Sequence, residues 1–495
     1  MNQNFWKIKL TPKEQDYSQW YLDVAKNWEM FEYSPVPGCI NFLPKAIEIR
    51  EKVKEEINKK IKPMGVQNVS LPMLIPMSFF EKEKEHIEWF APELAVVTVW
   101  GNKELDEKLA VRPTSETLFC EFFKHKLSSY RELPLLYNQW WNVMRWEKRT
   151  RPFLRTSEFH WQEGHTLHET VEEAYKFSRN IMENVYIEIF RNLFAIDWIA
   201  GCKPESEKFA GAEESFTFEP MMSNWWALQS CTAHVLDKWF MEQFEVSFQN
   251  REGEKAHPSY TSWGLSTRSI WAMISSHSDN KGLIIPPKLS QYTAVILPIY
   301  GKDNKDTVNS FVAKIAEKIT QNNTPSPVKG EYYKKFAWEE NEVLVDYRNV
   351  RIGEKITDFE LSWYPIRIEC GERDIQNNTC VVVSRITEEK QTVEIDQIND
   401  VIQKMLQTGR QKLFEKNKEM LKSNVIPCYT LDEIKNVVQN GQFAICEWDK
   451  DPEFENKIAE FKADIRCIPF KGQFTDELLE LKDKNNVAVI VARAF

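Results

Sequence analysis

The chain has 495 residues, of which 42% are hydrophobic and 28% charged, with a formal net charge of −10. A chain of this length is too long for a single core, so we expect roughly two to four domains. The composition is that of an ordinary globular protein. The negative charge argues against an indiscriminate polyanion binder, but it leaves room for a local basic surface that binds a specific nucleic acid.

Targeting and redox signals are absent from the sequence. No run is long and apolar enough to cross a bilayer, and the N-terminal segment has no apolar core of the secretory type. Nine scattered cysteines form no C-x-x-C pair, which disfavours a disulfide framework and a sequence-obvious zinc site. We therefore expect a cytoplasmic protein that does not associate with membranes.

The first strong pattern is an amphipathic helix over 44–62. Apolar residues recur at every fourth position from Ile49 to Ile61, and Pro63 and Gly65 follow where the helix should end. The next segment, "VQNVSLPML", is predicted to be a strand.

Residues 138–165 are predicted to form two strands joined by the polar loop "KRTRP". A helix should follow from about 167, with Thr166 and Glu169 as its capping box. Because side chains alternate faces along a strand, one face of this hairpin collects cations, carboxylates and aromatic rings. Its members are Arg145, Glu147, Arg155, Ser157, Phe159, Trp161 and Glu163.

This face suits a nucleotide, because arginine forks match phosphate and an aromatic ring can stack on a base. The alternative is an exposed, salt-bridged hairpin with aromatic cross-strand pairs. The hairpin alone does not decide between them, and the chain has neither a G-x-x-x-x-G-K-[ST] nor a G-x-G-x-x-G loop.

Three further segments offer polar groups of the same kind. They are "LAVRPTSETLF" with Thr114 and Glu116, "WALQSCTAH" with Gln229, Thr232 and His234, and "SWGLSTRSI" with Arg268. Each segment taken alone also fits a structural role, as a helix cap, a core histidine or a solvated arginine.

The pattern of predicted secondary structure changes in the second half of the chain, after a double proline. Short apolar strands alternate with helices, which predicts an α/β domain over about 290–390. A long charged helix should cover 396–424. A last unit, 426–495, opens with a capping box at Thr430 and Glu433.

Together these segments resemble a class II prolyl-tRNA synthetase of the archaeal and eukaryotic type. "GVQNVSLPML" resembles motif 1, "RWEKRTRPFLRTSEFHWQEGH" motif 2, and "GLSTRSIWAMISSHSDNKGLIIPP" motif 3. "EKEKEHIEWFAPELAVVT", "RPTSET" and "NQWWNVMRWE" resemble further family signatures.

The resemblance implies an α+β catalytic domain with an antiparallel sheet, the class II synthetase fold, at 1–288. It also implies an α/β anticodon-binding domain at 289–395, then a linker helix and a small C-terminal α/β domain at 396–495.

In the implied reaction, proline attacks the α-phosphate of ATP, supplied with Mg²⁺, and gives prolyl-adenylate and pyrophosphate. The prolyl group then passes from the adenylate to the 3′ end of tRNA(Pro). Fixed cations can stabilise the developing phosphate charge without a protein nucleophile. By matching position, the resemblance assigns ATP binding to Arg145, Glu147, Arg155, Phe159, Gln229, Thr232 and Arg268, with Arg145, Glu147 and Arg268 as the catalytic set. It assigns proline binding to Thr114, Glu116, Trp161, Glu163, His165, Phe209 and His234.

The family pattern also implies partners. Motif 1, including Pro72, implies a homodimer. Only a helix and a short mixed segment separate His165 from Arg268, so we expect no editing domain in this chain. Candidates to read the anticodon bases, with a surface charge cluster as the alternative, are Glu360, Arg367, Arg373 and Asp374.

Three features depart from the family pattern. "CTAHVLDKWF" stands where "GTSH" followed by "LGQNF" is usual, which introduces Cys231, Ala233 and Asp237, and "HSD" replaces "HGD". At the C-terminus, Cys446 could be a first zinc ligand, but Asp451 occupies the next ligand position and the later cysteine pair is missing. A tetrahedral zinc site cannot be assembled from what remains, so we expect a zinc-free, degenerate domain.

Three rival functions remain open on the sequence. They are a non-catalytic RNA-binding or regulatory relative, a ligase that activates an amino acid for another acceptor, and a sister synthetase for threonine or glycine. Retention of Arg145, Arg268 and Glu116 disfavours the first, and the anticodon-like segment disfavours the second.

Overall fold

The structure is a computed structural model that describes residues 10–81, 94–322, 324–329, 332–338, 341–361, 364–472 and 485–495. Most of the signature "EKEKEHIEWFAPELAVVT" lies outside these described residues. In the part of the chain that the structure describes, no helix has the length and apolarity that a membrane span requires.

An eleven-stranded sheet, here called the central sheet, forms the body of the molecule. Its pairs are antiparallel except for the outermost pair at each edge, which is parallel. This confirms the predicted antiparallel catalytic sheet. In spatial order its strands are Val425–Cys428, Phe443–Trp448, Val487–Ala492, Asp464–Pro469, Ile199–Cys202, Ala212–Glu219, Cys231–Leu236, Ser259–Ser266, Glu158–His168, Leu135–Met144 and Gln67–Asn68.

Smaller sheets lie beside the central sheet. Their strands are Phe31–Tyr33 with Ile40–Phe42, Phe248–Gln249 with Lys255–Ala256, and Leu74–Pro76 with Lys103–Val111 and Val96–Trp100. The segment predicted as one motif 1 strand is therefore two short strands, Gln67–Asn68 and Leu74–Pro76, in different sheets. Pro72 lies between them and cannot donate to a strand ladder, which fits the break.

The helices follow the apolar spacing of the sequence. Pro44–Ile61 buries the predicted face, and Arg268–His277 starts directly after strand Ser259–Ser266. Both contribute to the largest hydrophobic core, under the central sheet. The α-helices are Tyr17–Asn27, Pro44–Ile61, Met77–Glu81, Glu116–Lys124, Val171–Asn180, Ile187–Ile189, Lys238–Gln243, Arg268–His277, Lys305–Thr320, Ile352–Leu361, Glu372–Asn377, Ile398–Asn424, Leu431–Gln439 and Pro452–Ala459, with π-helical turns at Ile181–Tyr186 and Phe190–Phe194.

The predicted helix start after the hairpin is wrong. Residues 158–168 are strand, and the helix begins at Val171, because Thr170 accepts a hydrogen bond from the backbone N–H of Glu173. Thr166 is instead buried in the sheet, where its hydroxyl meets Thr261. The pattern T-x-x-E occurs twice, and only the second copy coincides with the end of the sheet.

The hairpin connection is also longer than the predicted loop. The last paired residues are Met144 and Glu158, and the N–H of Arg145 still donates to the carbonyl of Ser157 at 2.8 Å. Beyond that point Pro152 lacks a donor, and Phe153 has a φ of 61°. The chain therefore leaves the sheet earlier than alternation alone predicted.

A seven-stranded mixed sheet forms the α/β part of the chain. Its middle strand Ala294–Pro298 runs parallel to both neighbours, and helix Lys305–Thr320 packs on it. The spatial order is Ser326–Lys329, Tyr333–Trp338, Asn341–Asp346, Ala294–Pro298, Ile366–Cys370, Thr379–Ser384 and Lys390–Glu394.

The C-terminal strands do not form a sheet of their own. Strand Asp464–Pro469 pairs with Ile199–Cys202 and so extends the central sheet, with Pro469 opposite Gly201. A Cβ atom on Gly201 would lie 2.0 Å from the carbonyl oxygen of Ile468. The junction therefore requires a residue without a side chain.

We expect Gly201→Ala to lower the free energy of unfolding by about 1–3 kcal/mol, because the added methyl group overpacks this junction. Thermal unfolding of the purified chain measures the effect. Gly353→Ala is the matched control, since nothing lies within 4 Å of a Cβ there and alanine favours its helix. Equal unfolding temperatures for Gly201→Ala and the wild type would contradict the close approach.

Candidate active site

A pocket of about 210 Å³ lies on the central sheet, where strands Glu158–His168, Cys231–Leu236 and Ser259–Ser266 run side by side. It brings together eleven of the fourteen residues predicted for the nucleotide and proline sites. They are Thr114, Glu116, Arg145, Phe159, Trp161, Glu163, Phe209, Gln229, Thr232, His234 and Arg268.

The other three do not line the pocket. Arg155 is exposed and Glu147 half-buried on the long hairpin connection, yet both lie near enough to Arg268 to influence its pKa. His165 is fully buried behind the pocket wall, where its ring stacks on Phe119 at 4.1 Å between centroids. The structure therefore places His165 behind the residues that line the pocket, and its role in proline binding stays a prediction.

Glu163 is a buried carboxylate held by several donors. The Ser115 hydroxyl donates to it, the Trp141 indole N–H donates at 3.1 Å, and His165 Nε2 lies 3.1 Å from Oε1. Burial alone would raise the pKa of this carboxyl. The charge of His165 and these hydrogen bonds outweigh burial and lower the pKa, so Glu163 is ionised.

Glu116, the second carboxylate, has the opposite tendency. Burial raises its pKa first, and the neighbouring charge of Glu163 raises it further. The Thr114 hydroxyl donates to Glu116 and lowers that pKa, but does not reverse the net shift. Two carboxylates in one buried site share a proton readily, so this end of the pocket is suited to a small cation.

His165 acts through hydrogen bonds from behind the wall. Tyr260 Oη lies 2.6 Å from Nδ1, and Ser115 Oγ lies 3.1 Å from Nε2. Ser115 also donates to Glu163, so the His165 ring helps to position a donor of that carboxylate.

Glu116, Glu163 and His165 also have ligand atoms within 4.8 Å of one another, a spacing that could hold a metal ion. Hydroxyl and indole donors already occupy both carboxylates. An organic cation that donates hydrogen bonds fits this arrangement better than a bare metal ion.

A histidine and an aromatic ring form the opposite wall. His234 stacks on Phe209 at 4.8 Å between centroids, and its Nδ1 lies 2.8 Å from Ser215 Oγ. Burial, followed by the charge of Lys203, lowers the pKa of His234 to about 3. This ring is therefore neutral near pH 7.

The other end of the pocket is cationic. Arg145 donates from Nε to the carbonyl of Pro113 at 2.9 Å, and its guanidinium carbon lies 5.6 Å from the Phe159 ring centroid. Arg268 is held by the carbonyls of Leu154 and Gln229 at 3.2 and 3.0 Å. Burial, followed by the charges of Arg155 and Arg145, lowers the pKa of Arg268 to about 10. Such a cluster of arginines favours the binding of a polyanion.

Sequence reasoning missed several residues of this site. Ser115 stands between two predicted residues in "RPTSET", and Tyr260 shares strand alternation with Ser262, which lines the pocket. Lys203 also lines the pocket. Its segment "GCKPESEKF" offered only its closeness to Phe209 as a signal.

Comparison with known proteins agrees with this geometry. The family described as "tRNA synthetase class II core domain (G, H, P, S and T)" matches residues 97–277, and "Anticodon binding domain" matches residues 293–405. Proline--tRNA ligase 2 of Clostridioides difficile (strain 630) is 42% identical over 477 residues, which is 95% of each chain.

The chain belongs to the proline--tRNA ligase family. A second member, from Mycoplasmopsis pulmonis (strain UAB CTIP), is 41% identical over 492 residues, covering 98% of this chain and 99% of its own. A third, from Alkaliphilus oremlandii (strain OhILAs), is 41% identical over 467 residues, covering 94% and 93%. These relatives are bacterial, so they support the family and not the archaeal and eukaryotic type.

One of the family departures lies at the pocket and the others lie in the surrounding structure. Cys231 is buried in the central sheet and lines the pocket, Ala233 is buried in the same strand, and Asp237 caps helix Lys238–Gln243 by accepting from the Trp239 N–H at 3.0 Å. In "HSD", Ser278 is buried and its hydroxyl accepts from the Ile284 N–H at 3.3 Å. These substitutions are therefore accommodated without loss of a polar group from the cationic end.

The predicted anticodon residues differ in accessibility. Arg373 is exposed at the start of helix Glu372–Asn377, and Asp374 accepts from the Gly371 N–H at 2.8 Å. Arg367 is buried and forms an ion pair with Glu369 at 2.8 Å, so a base contact would require that pair to open. Glu360 lies in helix Ile352–Leu361, and its side chain is outside the described residues.

The two residues at the degenerate zinc positions are in structural roles. Cys446 is buried in the C-terminal core, where burial raises the pKa of its thiol far above the usual range. Asp451 caps helix Pro452–Ala459 by accepting from the Glu453 N–H at 2.9 Å. A zinc-free domain stays a prediction.

We expect Glu116→Gln to raise the free energy of unfolding of the substrate-free protein by about 0.5–2 kcal/mol near pH 8. The folded protein raises the pKa of Glu116, so ionisation of this carboxyl opposes folding as pH rises through that pKa. The gain should therefore shrink near pH 5. Thermal unfolding at both pH values measures it.

Glu104→Gln, at an exposed strand position, is the control and should leave stability unchanged at either pH. A Glu116→Gln variant that is less stable than the wild type at pH 8 would show that the carboxylate supports the fold, contrary to the assigned repulsion.

Proposed function

We propose that this pocket carries out the family reaction, in which L-proline is activated with Mg²⁺–ATP and transferred to tRNA(Pro). The proposal rests on one observation: a single continuous pocket carries opposite charges at its two ends. A cluster of arginines lies at one end and a buried pair of carboxylates at the other. Arg145 belongs to the cationic end and also borders the acidic end, since it contacts Pro113 beside Thr114 and faces Phe159.

At the cationic end, we assign Arg145 and Arg268 to the phosphates and Phe159 to the adenine ring. Both guanidinium groups are fixed by backbone carbonyls, so they need little rearrangement as negative charge develops on the α-phosphate. Arg155 and Glu147, on the hairpin connection, would close over the nucleotide. Gln229 and Thr232 complete the nucleotide end.

At the acidic end, we assign Glu116 to the cationic imino group of proline. Glu163 stays ionised and oriented through Ser115 and His165. Trp161, Phe209 and the neutral His234 supply flat walls for a small apolar ring. Because the reaction joins two bound substrates, the site works mainly by positioning them in line.

The same walls argue against threonine. A threonine hydroxyl would need a hydrogen-bond partner next to Phe209 and the Trp161 ring, whereas a proline ring does not. Alanine is a closer competitor, since a smaller apolar side chain loses only about 1–3 kcal/mol of contact. In residues 166–267, all of which the structure describes, the chain forms strands of the central sheet, helices and one two-stranded sheet, and no separate editing domain.

Several finer features belong to the same proposal. The chain divides functionally at 1–288, 289–395 and 396–495, reads the anticodon through exposed residues such as Arg373, and acts in the cytoplasm. The short spacing between motifs 2 and 3 supports the archaeal and eukaryotic type.

We also propose a homodimer through the motif 1 region. Pro72 and Met73 are exposed, and Arg112 donates to the carbonyl of Pro72 at 3.3 Å while stacking on Trp141. Trp141 in turn donates to Glu163, so the proposed interface connects with the proline end. Sedimentation equilibrium should give twice the 58.5 kDa chain mass, and Met73→Glu should shift it toward monomer. A wild-type monomer at micromolar concentration would contradict the dimer.

Proline-dependent exchange of pyrophosphate into ATP tests the function. We expect exchange with proline and little with threonine or glycine, and we expect Arg145→Ala to lower kcat/KM by at least about 100-fold because it removes a fixed phosphate donor. Arg149→Ala, exposed on the same connection, is the control and should stay near wild type. Equal exchange with threonine would overturn the assignment, and normal activity of Arg145→Ala would remove that residue from it.

A further inference from the structure

A buried group of three charges joins the C-terminal strands to the pocket. Lys203, Glu219 and Arg466 are each at most 5% exposed. Arg466 Nη2 lies 3.2 and 3.0 Å from the two oxygens of Glu219, and Lys203 Nζ lies 3.1 Å from Oε1. Thr217 donates a further hydrogen bond to Oε1 at 2.8 Å.

These charges are mutually dependent. Burial alone would raise the pKa of Glu219, but Arg466 and Lys203 outweigh it and the pKa is lowered. Burial likewise disfavours the charge of Arg466, and Glu219 reverses that effect and raises the pKa. All three groups are therefore held in one arrangement, since separating any of them leaves a buried charge without compensation.

Arg466 and Lys203, two members of this group, belong to different parts of the fold. Arg466 lies on strand Asp464–Pro469 of the C-terminal unit, 247 residues from Glu219 in the sequence. Lys203 directly follows strand Ile199–Cys202 and lines the pocket. The group thus connects the added C-terminal strand with the pocket wall.

Lys203 is also tied to the proline end. Its N–H donates to the carbonyl of Ser215 at 2.8 Å, and the Ser215 hydroxyl contacts both the Phe209 N–H at 3.2 Å and His234 Nδ1 at 2.8 Å. The charge of Lys203 also lowers the pKa of His234, after the larger effect of burial, so both the main chain and the ammonium group of Lys203 influence this side of the pocket.

We propose that Arg466 is a positioning residue for the proline end of the pocket. By occupying both oxygens of Glu219, it leaves Lys203 a single contact there and holds the Lys203 ammonium in the lining of the pocket that Phe209 and His234 share. The C-terminal unit is in this sense part of the amino-acid site. The inference rests on the proposed function, because its readout is the affinity for proline.

Loss of Arg466 frees one carboxylate oxygen of Glu219, which draws the Lys203 ammonium away from the pocket wall. We expect Arg466→Met to raise KM for proline at least about fivefold, with less than about a twofold change in KM for ATP. Arg466→Lys retains the charge without the two-pronged contact, so it should recover part of the proline affinity.

Pyrophosphate exchange on the full chain, with proline and ATP varied separately, measures these effects. Lys471→Met, exposed just beyond the same strand, is the control. Because Arg466→Met leaves a buried carboxylate and can unfold the protein, the double variant Arg466→Met with Glu219→Met is tested in parallel. The double variant removes the uncompensated carboxylate, and its KM for proline should stay raised, since Lys203 still lacks its anchor.

A normal KM for proline in the folded double variant would overturn the positioning role and leave the charges with a purely structural one. So would parallel increases in KM for proline and ATP. Absence of proline-dependent exchange in the wild type would instead overturn the proposed function, and this inference with it.

Discussion

The compensation of the buried Glu163 carboxylate organises the acidic end of the pocket. A charge buried in the middle of an antiparallel sheet must be matched by donors that are themselves fixed. Ser115 comes from the segment before a helix, Trp141 from the neighbouring strand, and His165 from the same strand two residues on. Three segments are thereby locked together, and Glu116 acquires a neighbour that resists its ionisation.

How far the sequence could predict the site is clearest on strand Glu158–His168. Alternation correctly directed Phe159, Trp161 and Glu163 to the pocket, because the side-chain period of a strand is a local property. His165 has the same parity and yet lies behind the wall, since helix Glu116–Lys124 brings Phe119 against its ring. That contact depends on tertiary packing, which no local period contains.

The two predicted capping boxes show the same difference between local sequence pattern and tertiary packing. Thr430 and Glu433 cap a helix as expected, whereas Thr166 belongs to a strand. The two sequence motifs are equally good helix-start signals. Thr166 is nevertheless in a strand, because its segment pairs with strand Ser259–Ser266. The C-terminal extension of the central sheet could not be predicted either, because its pairing joins residues that are distant in the sequence. The pairing also requires a glycine at position 201, where a Cβ atom would be too close to the partner strand.

That late pairing has a consequence for synthesis on the ribosome. Strand Ile199–Cys202 emerges long before its partner Asp464–Pro469. Until the partner is made, the nascent chain presents one edge of a large sheet with unmatched backbone groups, a surface that readily recruits other chains. The final strands therefore do more than enlarge the fold, because they cover an edge strand that the growing polypeptide would otherwise leave open to other chains.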